Sequence, residues 1–297
     1  MFLTITQSKL PTWIRLIRPH QWVKNLFIFI PSFFAGIFTD LNIFVHLSIG
    51  FVAFCCAASA IYIFNDISDL ENDLLHPAKK HRPIASGKIS VTTAYLMMAL
   101  LILASFGISL LLPAQFLWVI SFYIIFNVFY SLGLKHVAIL DIMIVASGFV
   151  FRTIGGGIIA DVTVSKWLIL MIFLLALFLA LAKRLDDLLM ETKTGIISTK
   201  NVGKYNIPYI NSGITMLAGI MIVCYIMYSM SDDVMGGAHS DNIYLTSIFV
   251  IAGILRYLQI LLVERKGWSP TRVLYKDLFI IITIILWALS FVYILYF

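Results

Sequence analysis

The sequence predicts an all-α integral membrane protein with nine transmembrane helices. Three observations lead there. The 297-residue chain is 61% hydrophobic and only 12% charged, with a mean hydropathy of +0.98, whereas a soluble domain carries about 25% charged residues. Its apolar residues fall in runs long enough to cross a bilayer. Its cations cluster on alternate loops between those runs.

The first expected span, 21–38, follows Arg18-Pro19-His20-Gln21-Trp22-Val23-Lys24-Asn25. Trp and cations prefer headgroup depth, so this segment reads as an interfacial anchor. It has no small-residue cleavage site and continues into further spans, so it is read as a span rather than a signal peptide. The second span, 43–64, ends against an acid-rich segment. The third and fourth, 91–112 and 114–133, meet at Pro113. The fifth, 137–160, carries Asp141, Arg152 and Gly155-Gly156-Gly157, and the glycines permit close helix approach. The sixth, 165–183, closes on Lys183-Arg184. The last three are 208–230, 242–263 and 276–296.

Of the 21 Lys and Arg, Lys166 alone stands on one side, at the loop end of the sixth span, and Arg152 and Arg256 fall deep inside expected spans. The rest flank the N-terminus and the loops after spans two, four, six and eight. The positive-inside rule then makes those loops and the N-terminus cytoplasmic, as expected of a multi-pass protein of the plasma (inner) membrane. The net charge of +6 is explained by loops facing anionic lipid and calls for no nucleic acid. Cys55, Cys56 and Cys224 lie within spans without metal-ligand spacing and read as small apolar packing. No composition shift marks a second domain, so 1–297 reads as one membrane domain. The polar loops after spans two and six hint at a repeat of spans one to four in spans five to eight, with span nine added.

The most informative segment is Asn65-Asp66-Ile67-Ser68-Asp69-Leu70-Glu71-Asn72-Asp73. On a helix, Asp66, Asp69 and Asp73 stand at i, i+3 and i+7, so three carboxylates share a face. Unpaired, they repel. A hard divalent cation such as Mg²⁺ takes oxygen ligands and shares them with substrate phosphates, which turns repulsion into binding. Asn65 adds a neutral oxygen or a donor. Lys79, Lys80, His81 and Arg82 follow at once, held by Pro77, Pro83 and Gly87 in a turning segment. Lys79 and Arg82 are candidate diphosphate ligands, Arg82 with a bidentate fork. Acid for metal followed by base for phosphate points to chemistry on a phosphorylated substrate at a membrane surface.

Further candidates lie elsewhere. Lys24 and Asn25 would donate to phosphate at a cavity mouth. Asp141 and Arg152 are eleven residues apart, close to three helical turns, and share a face. Ionisable groups in a membrane point into a cavity or at a partner, so a substrate role for Arg152 and a structural ion pair through other helices both stand open. Lys183 and Arg184 would meet phosphate, and Asp187 with Glu191 would offer a helix face to a second Mg²⁺. Lys135 and Arg256 lie near expected cytoplasmic helix ends and would extend the positive pocket, with snorkelling as the simpler account of both.

These residues resemble the UbiA-type membrane prenyltransferase superfamily. Asn65–Asp73 reads as its first aspartate-rich motif, N-D-x-x-D-x-x-x-D, and Arg82-Pro83-Ile84-Ala85-Ser86-Gly87 as the segment after it. The likeness covers essentially the whole chain. It implies a bundle of nine helices around a central cavity open to the cytoplasm. Within the superfamily the chain looks most like the decaprenyl-phosphate phosphoribosyltransferase branch. The features are Arg18-Pro19-x-Gln21-Trp22-Val23-Lys24-Asn25, His76-Pro77-x-Lys79, Phe149-Val150-Phe151-Arg152 and Lys183-Arg184. In that branch a basic pair followed by an acid, here Asp187, replaces the second aspartate-rich motif. Yet Asp187-x-x-x-Glu191 also resembles the acidic pair of ordinary prenyltransferases.

The resemblance implies Mg²⁺-dependent transfer of a 5-phosphoribosyl group from phosphoribosyl diphosphate to a polyprenyl phosphate. Asp66, Asp69 and Asp73 would be catalytic metal ligands, joined by Asp187 or Glu191. Lys24, Asn25, Asn65, Lys79, Arg82, Lys135, Arg152, Lys183 and Arg184 would bind substrate phosphate. The alternative is prenyl transfer from a polyprenyl diphosphate to an aromatic acceptor. A transporter with an intramembrane ion site is a third reading. The dense acid–base loop opposes it, because transporter sites lie near the midplane.

Overall fold

Capping residues and prolines divide this apolar chain into helices. The computed structural model describes residues 11–77, 79–194, 204–230, 240–264, 273 and 276–296. Among them the structure is helical: α1 (Thr12–Ile17), a 3₁₀ segment (Pro19–Phe29), α2 (Ile30–Phe34), α3 (Leu41–Ser68), α4 (Leu70–Leu75), α5 (Val91–Ser109), α6 (Ala114–Leu132), α7 (Leu140–Ala160), α8 (Lys166–Thr194), α9 (Ile207–Ser229), α10 (Ser247–Gln259) and α11 (Leu278–Tyr296). Asp40 starts α3 by accepting from the N–H groups of Asn42 and Ile43 at 2.8 and 3.2 Å. Ser90 caps α5, Asn206 caps α9 and Asp277 caps α11 in the same way.

Among the described residues, seven helical stretches are long and apolar enough to cross a membrane, and they coincide with expected spans two to eight. The eighth expected span is a composite. A 3₁₀ turn, Ser240–Thr246, leads into α10, and a π-turn, Ile260–Glu264, ends it. The ninth is α11, whose apolar stretch Leu278–Ile294 is shorter than the other spans. The first, 21–38, is not a single α-helix. It runs as the 3₁₀ segment and then the short α2, and Pro31 at their junction has no N–H to give to the hydrogen-bond ladder. The sixth span continues as helix to Thr194, so Lys183 through Glu191 lie on α8 itself rather than in a loop. Residues 195–203 and 231–239, between expected spans six and seven and seven and eight, lie outside the described residues.

The chain divides into two compact units, residues 1–135 with 151–163 and residues 136–150 with 164–297. In the first, α3 is the central helix, packed against α5, α6 and the 3₁₀ segment. Phe54, Phe116, Ile120, Tyr123 and Ile28 form its core. A second cluster, Leu16, Ile63, Ile84 and Ala94, seats α1 and the basic loop against the end of α3. Gly156 is required here, since a Cβ would overlap the carbonyl oxygen of Ile28. Close approach of that kind is what the triple glycine implied. In the second unit, α8 packs on α9, and α10 on α11. Phe178, Leu181, Ile210, Ile214 and Tyr257 lie in its core. Large exposed apolar side chains such as Leu96, Leu100 and Leu103 line α5, as suits a face in contact with lipid.

Candidate active site

The acidic segment straddles a helix junction. α3 ends at Ser68, Asp69 occupies the joint, and Asp73 lies in α4. The hydrogen bonds Asp69 N–H to Asn65 O (3.0 Å) and Asp73 N–H to Asp69 O (2.8 Å) keep helical spacing across the joint. The expected single helix face is therefore interrupted at Asp69, although the i, i+3, i+7 register survives.

Each carboxylate meets a cation. Oδ1 of Asp66 accepts from Arg18 Nη2 at 2.5 Å and from Arg82 Nη1 at 3.0 Å. The same Nη1 donates to Asp73 Oδ2 at 2.6 Å. Lys135 Nζ donates to Asp69 Oδ1 at 2.7 Å and to Asn65 Oδ1 at 3.3 Å, while Asn65 Nδ2 donates to Asp69 Oδ2 at 3.2 Å. Three carboxylates thus face three cations: Arg18, Arg82 and Lys135. Among the described residues no three Asp, Glu, His or Cys side chains converge into a metal-holding group. Arg82 Nη1 lies between Asp66 and Asp73, and Asp69 is held by Lys135. One atom is left over: Oδ2 of Asp66 is buried and has no protein partner among the described residues. A buried carboxylate oxygen without a donor costs about 1–3 kcal/mol or more, and a hard cation is the natural group to satisfy it. The donor set therefore fits Mg²⁺ in chemistry.

The basic loop is built to hold Arg82. Arg82 N–H donates to Lys79 O at 2.9 Å, Ser86 N–H to Arg82 O at 2.8 Å, and Ile89 N–H to Pro83 O at 3.1 Å. Arg15 ties it to α1 through the His81 carbonyl at 3.0 Å. Gly87 takes φ +70, which closes the turn. Lys79 is half-buried, and its N–H donates to His76 Nδ1 at 3.3 Å. Burial, and then the Lys79 charge, hold His76 below its usual range, in keeping with an acceptor Nδ1. Ala78 lies outside the described residues. Burial raises the Asp73 carboxyl above its ordinary range, the Arg82 charge and hydrogen bond oppose the rise, and Asp66 adds to it.

Asn25 and Arg152 form a separate buried knot in the same unit. Arg152 Nε donates to Asn25 Oδ1 at 2.6 Å, and its Nη2 to the Tyr123 hydroxyl at 3.0 Å. Its guanidinium lies 4.8 Å from the Tyr123 ring centroid and 5.8 Å from that of Phe54. Asn25 also donates to Cys55 Sγ at 3.2 Å. Both polar groups, read from sequence as phosphate ligands, thus have internal partners. Lys24 is half-buried and forms no ion pair among the described residues.

In the second unit Arg184 Nη2 donates to Asp141 Oδ2 at 2.8 Å, and Nη1 to Asp187 Oδ2 at 3.3 Å. The Tyr205 hydroxyl donates to Asp141 Oδ1 at 3.0 Å. Asp141 and Arg152 are each satisfied by partners on other elements. Lys183 is exposed, and Glu191 Oε2 is buried without a partner among the described residues. Arg256 pairs with Asp277 at 2.7 Å and Glu264 at 2.7 Å, fastening the π-turn to the start of α11. Sequence reasoning missed Arg18, Tyr123 and Tyr205. Arg18 precedes a proline and takes the left-handed φ of 54.

The family model for the UbiA prenyltransferase family matches residues 26–281. The decaprenyl-phosphate phosphoribosyltransferase of Mycolicibacterium smegmatis is 40% identical over 224 residues, covering 74% of this chain and 70% of that protein. The protein of the same name from Mycobacterium tuberculosis is 32% identical over 250 residues, covering 82% and 81%. Among solved structures, a UbiA homologue from Archaeoglobus fulgidus bound to DMAPP and Mg²⁺ superposes with a TM-score of 0.72 at 19% identity, covering 96% of this chain and all of that one.

Proposed function

The chain belongs to the UbiA prenyltransferase family, and on that premise we propose that it transfers a 5-phosphoribosyl group from phosphoribosyl diphosphate to a polyprenyl phosphate, releasing diphosphate. The observation that carries the reading is the array of Asp66, Asp69 and Asp73 against Arg18, Arg82 and Lys135, with one Asp66 oxygen left unsatisfied. Such an array exchanges its internal pairs for a metal–diphosphate complex at little net electrostatic cost: carboxylates turn to the metal and cations to the phosphates. The names of the M. smegmatis and M. tuberculosis relatives support the choice of phosphoribosyl over prenyl transfer.

In this reading the bond from C1 of the ribose to the diphosphate oxygen breaks, and a bond from C1 to an oxygen of the lipid phosphate forms. Asp66, Asp69 and Asp73 would hold Mg²⁺, which when bound neutralises charge on the departing diphosphate. Arg82, Lys135 and Arg18 release their carboxylates and take phosphate oxygens. Lys79 on its turn and Lys24 add donors. Arg184 and Lys183 are assigned to phosphate binding as well, and Asp187 or Glu191 to a further carboxylate ligand. Arg152 and Asn25 act by holding the base of the first unit rather than by touching phosphate. The acceptor phosphate is ionised at neutral pH, so it needs positioning rather than a general base. The nine-span bundle with its cavity open to the cytoplasm, in the plasma membrane, belongs to the same reading: the polar donor enters from the cytoplasm and the lipid tail lies in the bilayer.

The test is direct. Purified protein in detergent receives Mg²⁺, labelled phosphoribosyl diphosphate and polyprenyl phosphate, and in parallel a prenyl diphosphate with aromatic acceptors. Lipid-linked phosphoribose that disappears on chelation and returns with added Mg²⁺ is expected. Product only in the second arm would replace this reading with aromatic prenyl transfer.

A further inference from the structure

The turn that opens α7 is held in a strained conformation. Ile139, the residue before the helix, has φ +73, a left-handed backbone that a β-branched side chain rarely adopts. Its N–H donates to the Tyr205 hydroxyl at 2.7 Å, and that hydroxyl donates to Asp141 Oδ1 at 3.0 Å. Lys204 Nζ donates to the His136 carbonyl at 2.5 Å. Two consecutive residues ahead of α9 therefore grip the turn 136–139. Asp141 is fully buried, and its second oxygen accepts from Arg184. A continuous chain of contacts runs from strained backbone to hydroxyl, carboxylate and guanidinium, all within the second unit.

Stability alone is a poor account of this device. Well-packed apolar residues often serve a core as well as a buried ion pair does, and strained backbone persists where its surroundings over-determine it. What the chain does achieve is a single orientation. Tyr205 holds Asp141 through Oδ1 while Oδ2 accepts from Arg184, so the carboxylate is oriented from both sides and the guanidinium sits between Asp141 and Asp187.

We propose that Tyr205 and Asp141 are positioning residues that set the Arg184 guanidinium for a phosphate of the donor substrate. The proposal rests on the phosphoribosyl-transfer reading. It assigns to two residues outside the expected phosphate-binding set the job of orienting one inside it.

The experiment is a double-mutant cycle on the full chain in detergent. Tyr205→Phe removes one hydroxyl and should raise the KM for phosphoribosyl diphosphate about 10-fold, the weight of one lost hydrogen bond, with the KM for polyprenyl phosphate unchanged. Arg184→Ala should raise the same KM at least as much. Tyr205→Phe added to Arg184→Ala should then change nothing further. A Tyr205→Phe effect of equal size in both backgrounds would mean that the hydroxyl supports only the turn, and would overturn the proposal; so would an unchanged donor KM in Tyr205→Phe. If Tyr205→Phe does not fold, Asp141→Asn, which keeps the shape, is read by the same cycle. If the wild type transfers no phosphoribosyl group, the reading beneath the proposal fails on its own. Binding of magnesium diphosphate by the same four proteins then decides the role of Tyr205, coupling supporting it and independence overturning it.

Discussion

Arg82→Ala is the most discriminating perturbation of the acidic site. One nitrogen, Nη1, bridges Asp66 Oδ1 at 3.0 Å and Asp73 Oδ2 at 2.6 Å. Both aspartates are 2% exposed, and the Arg82 side chain is 26% exposed. Removing it leaves Asp66 paired with Arg18 and takes from Asp73 the one ion-pair partner it has among the described residues. Breaking a buried ion pair costs about 3–5 kcal/mol. Because the guanidinium is partly solvated, the lower end, about 3 kcal/mol, is the better expectation. For a chain of this size that is a fall in melting temperature of roughly 6–12 °C.

The sign with pH follows from Asp73. Burial raises its carboxyl, and Arg82 opposes the rise. A carboxyl raised in the folded state disfavours folding once pH exceeds the unfolded value of about 3.9 and the group must ionise, and the loss is complete above the folded pKa. Deleting Arg82 raises the folded pKa further and widens that window. The gap in melting temperature between wild type and Arg82→Ala should therefore widen as pH rises above the ordinary carboxylate range. Asp73→Asn introduced into Arg82→Ala should recover most of the lost stability, since it removes the unpaired charge, while transfer activity stays absent. Thermal melts in detergent across pH check both. A gap that is constant with pH, or an Asp73→Asn cost as large in the Arg82→Ala background as in wild type, would refute the bridging role.

Two other outcomes test the frame around the site. Arg152→Lys should lower stability by about 2 kcal/mol, since the bonds to Asn25 and Tyr123 and the stacking on two rings are lost from a buried place; a variant with wild-type melting and a raised donor KM would return Arg152 to the phosphate-binding set. Gly156→Leu should abolish folded protein, read as monodisperse yield in detergent, because even a Cβ meets the Ile28 carbonyl; normal yield would show that the 3₁₀ segment can move away.

Much of this protein is legible in its sequence because the bilayer is so restrictive a solvent. Backbone groups in hydrocarbon must pair within their own helix, so apolar run length alone located spans two to eight. The first expected span runs as a 3₁₀ segment followed by α2, a distinction of local helix type to which hydropathy is blind. The sixth was cut short because Lys183 and Arg184 look like a boundary, yet α8 carries both through to Thr194. The acidic segment stood out because four carboxylates in nine residues demand counter-charge.

Sequence by itself determined the chemistry available: oxygen ligands after span two, cations beside them, and an apolar frame. That information is local and compositional, and it survives without coordinates. Only the tertiary structure decided the pairing. Arg18 reaches Asp66 across 48 positions and Lys135 reaches Asp69 across 66. Arg152 meets Asn25, 127 positions back in the chain. Charge complementarity acts through space and falls off over a few ångströms, so which cation meets which carboxylate depends on how the helices pack, and no spacing along the chain encodes it.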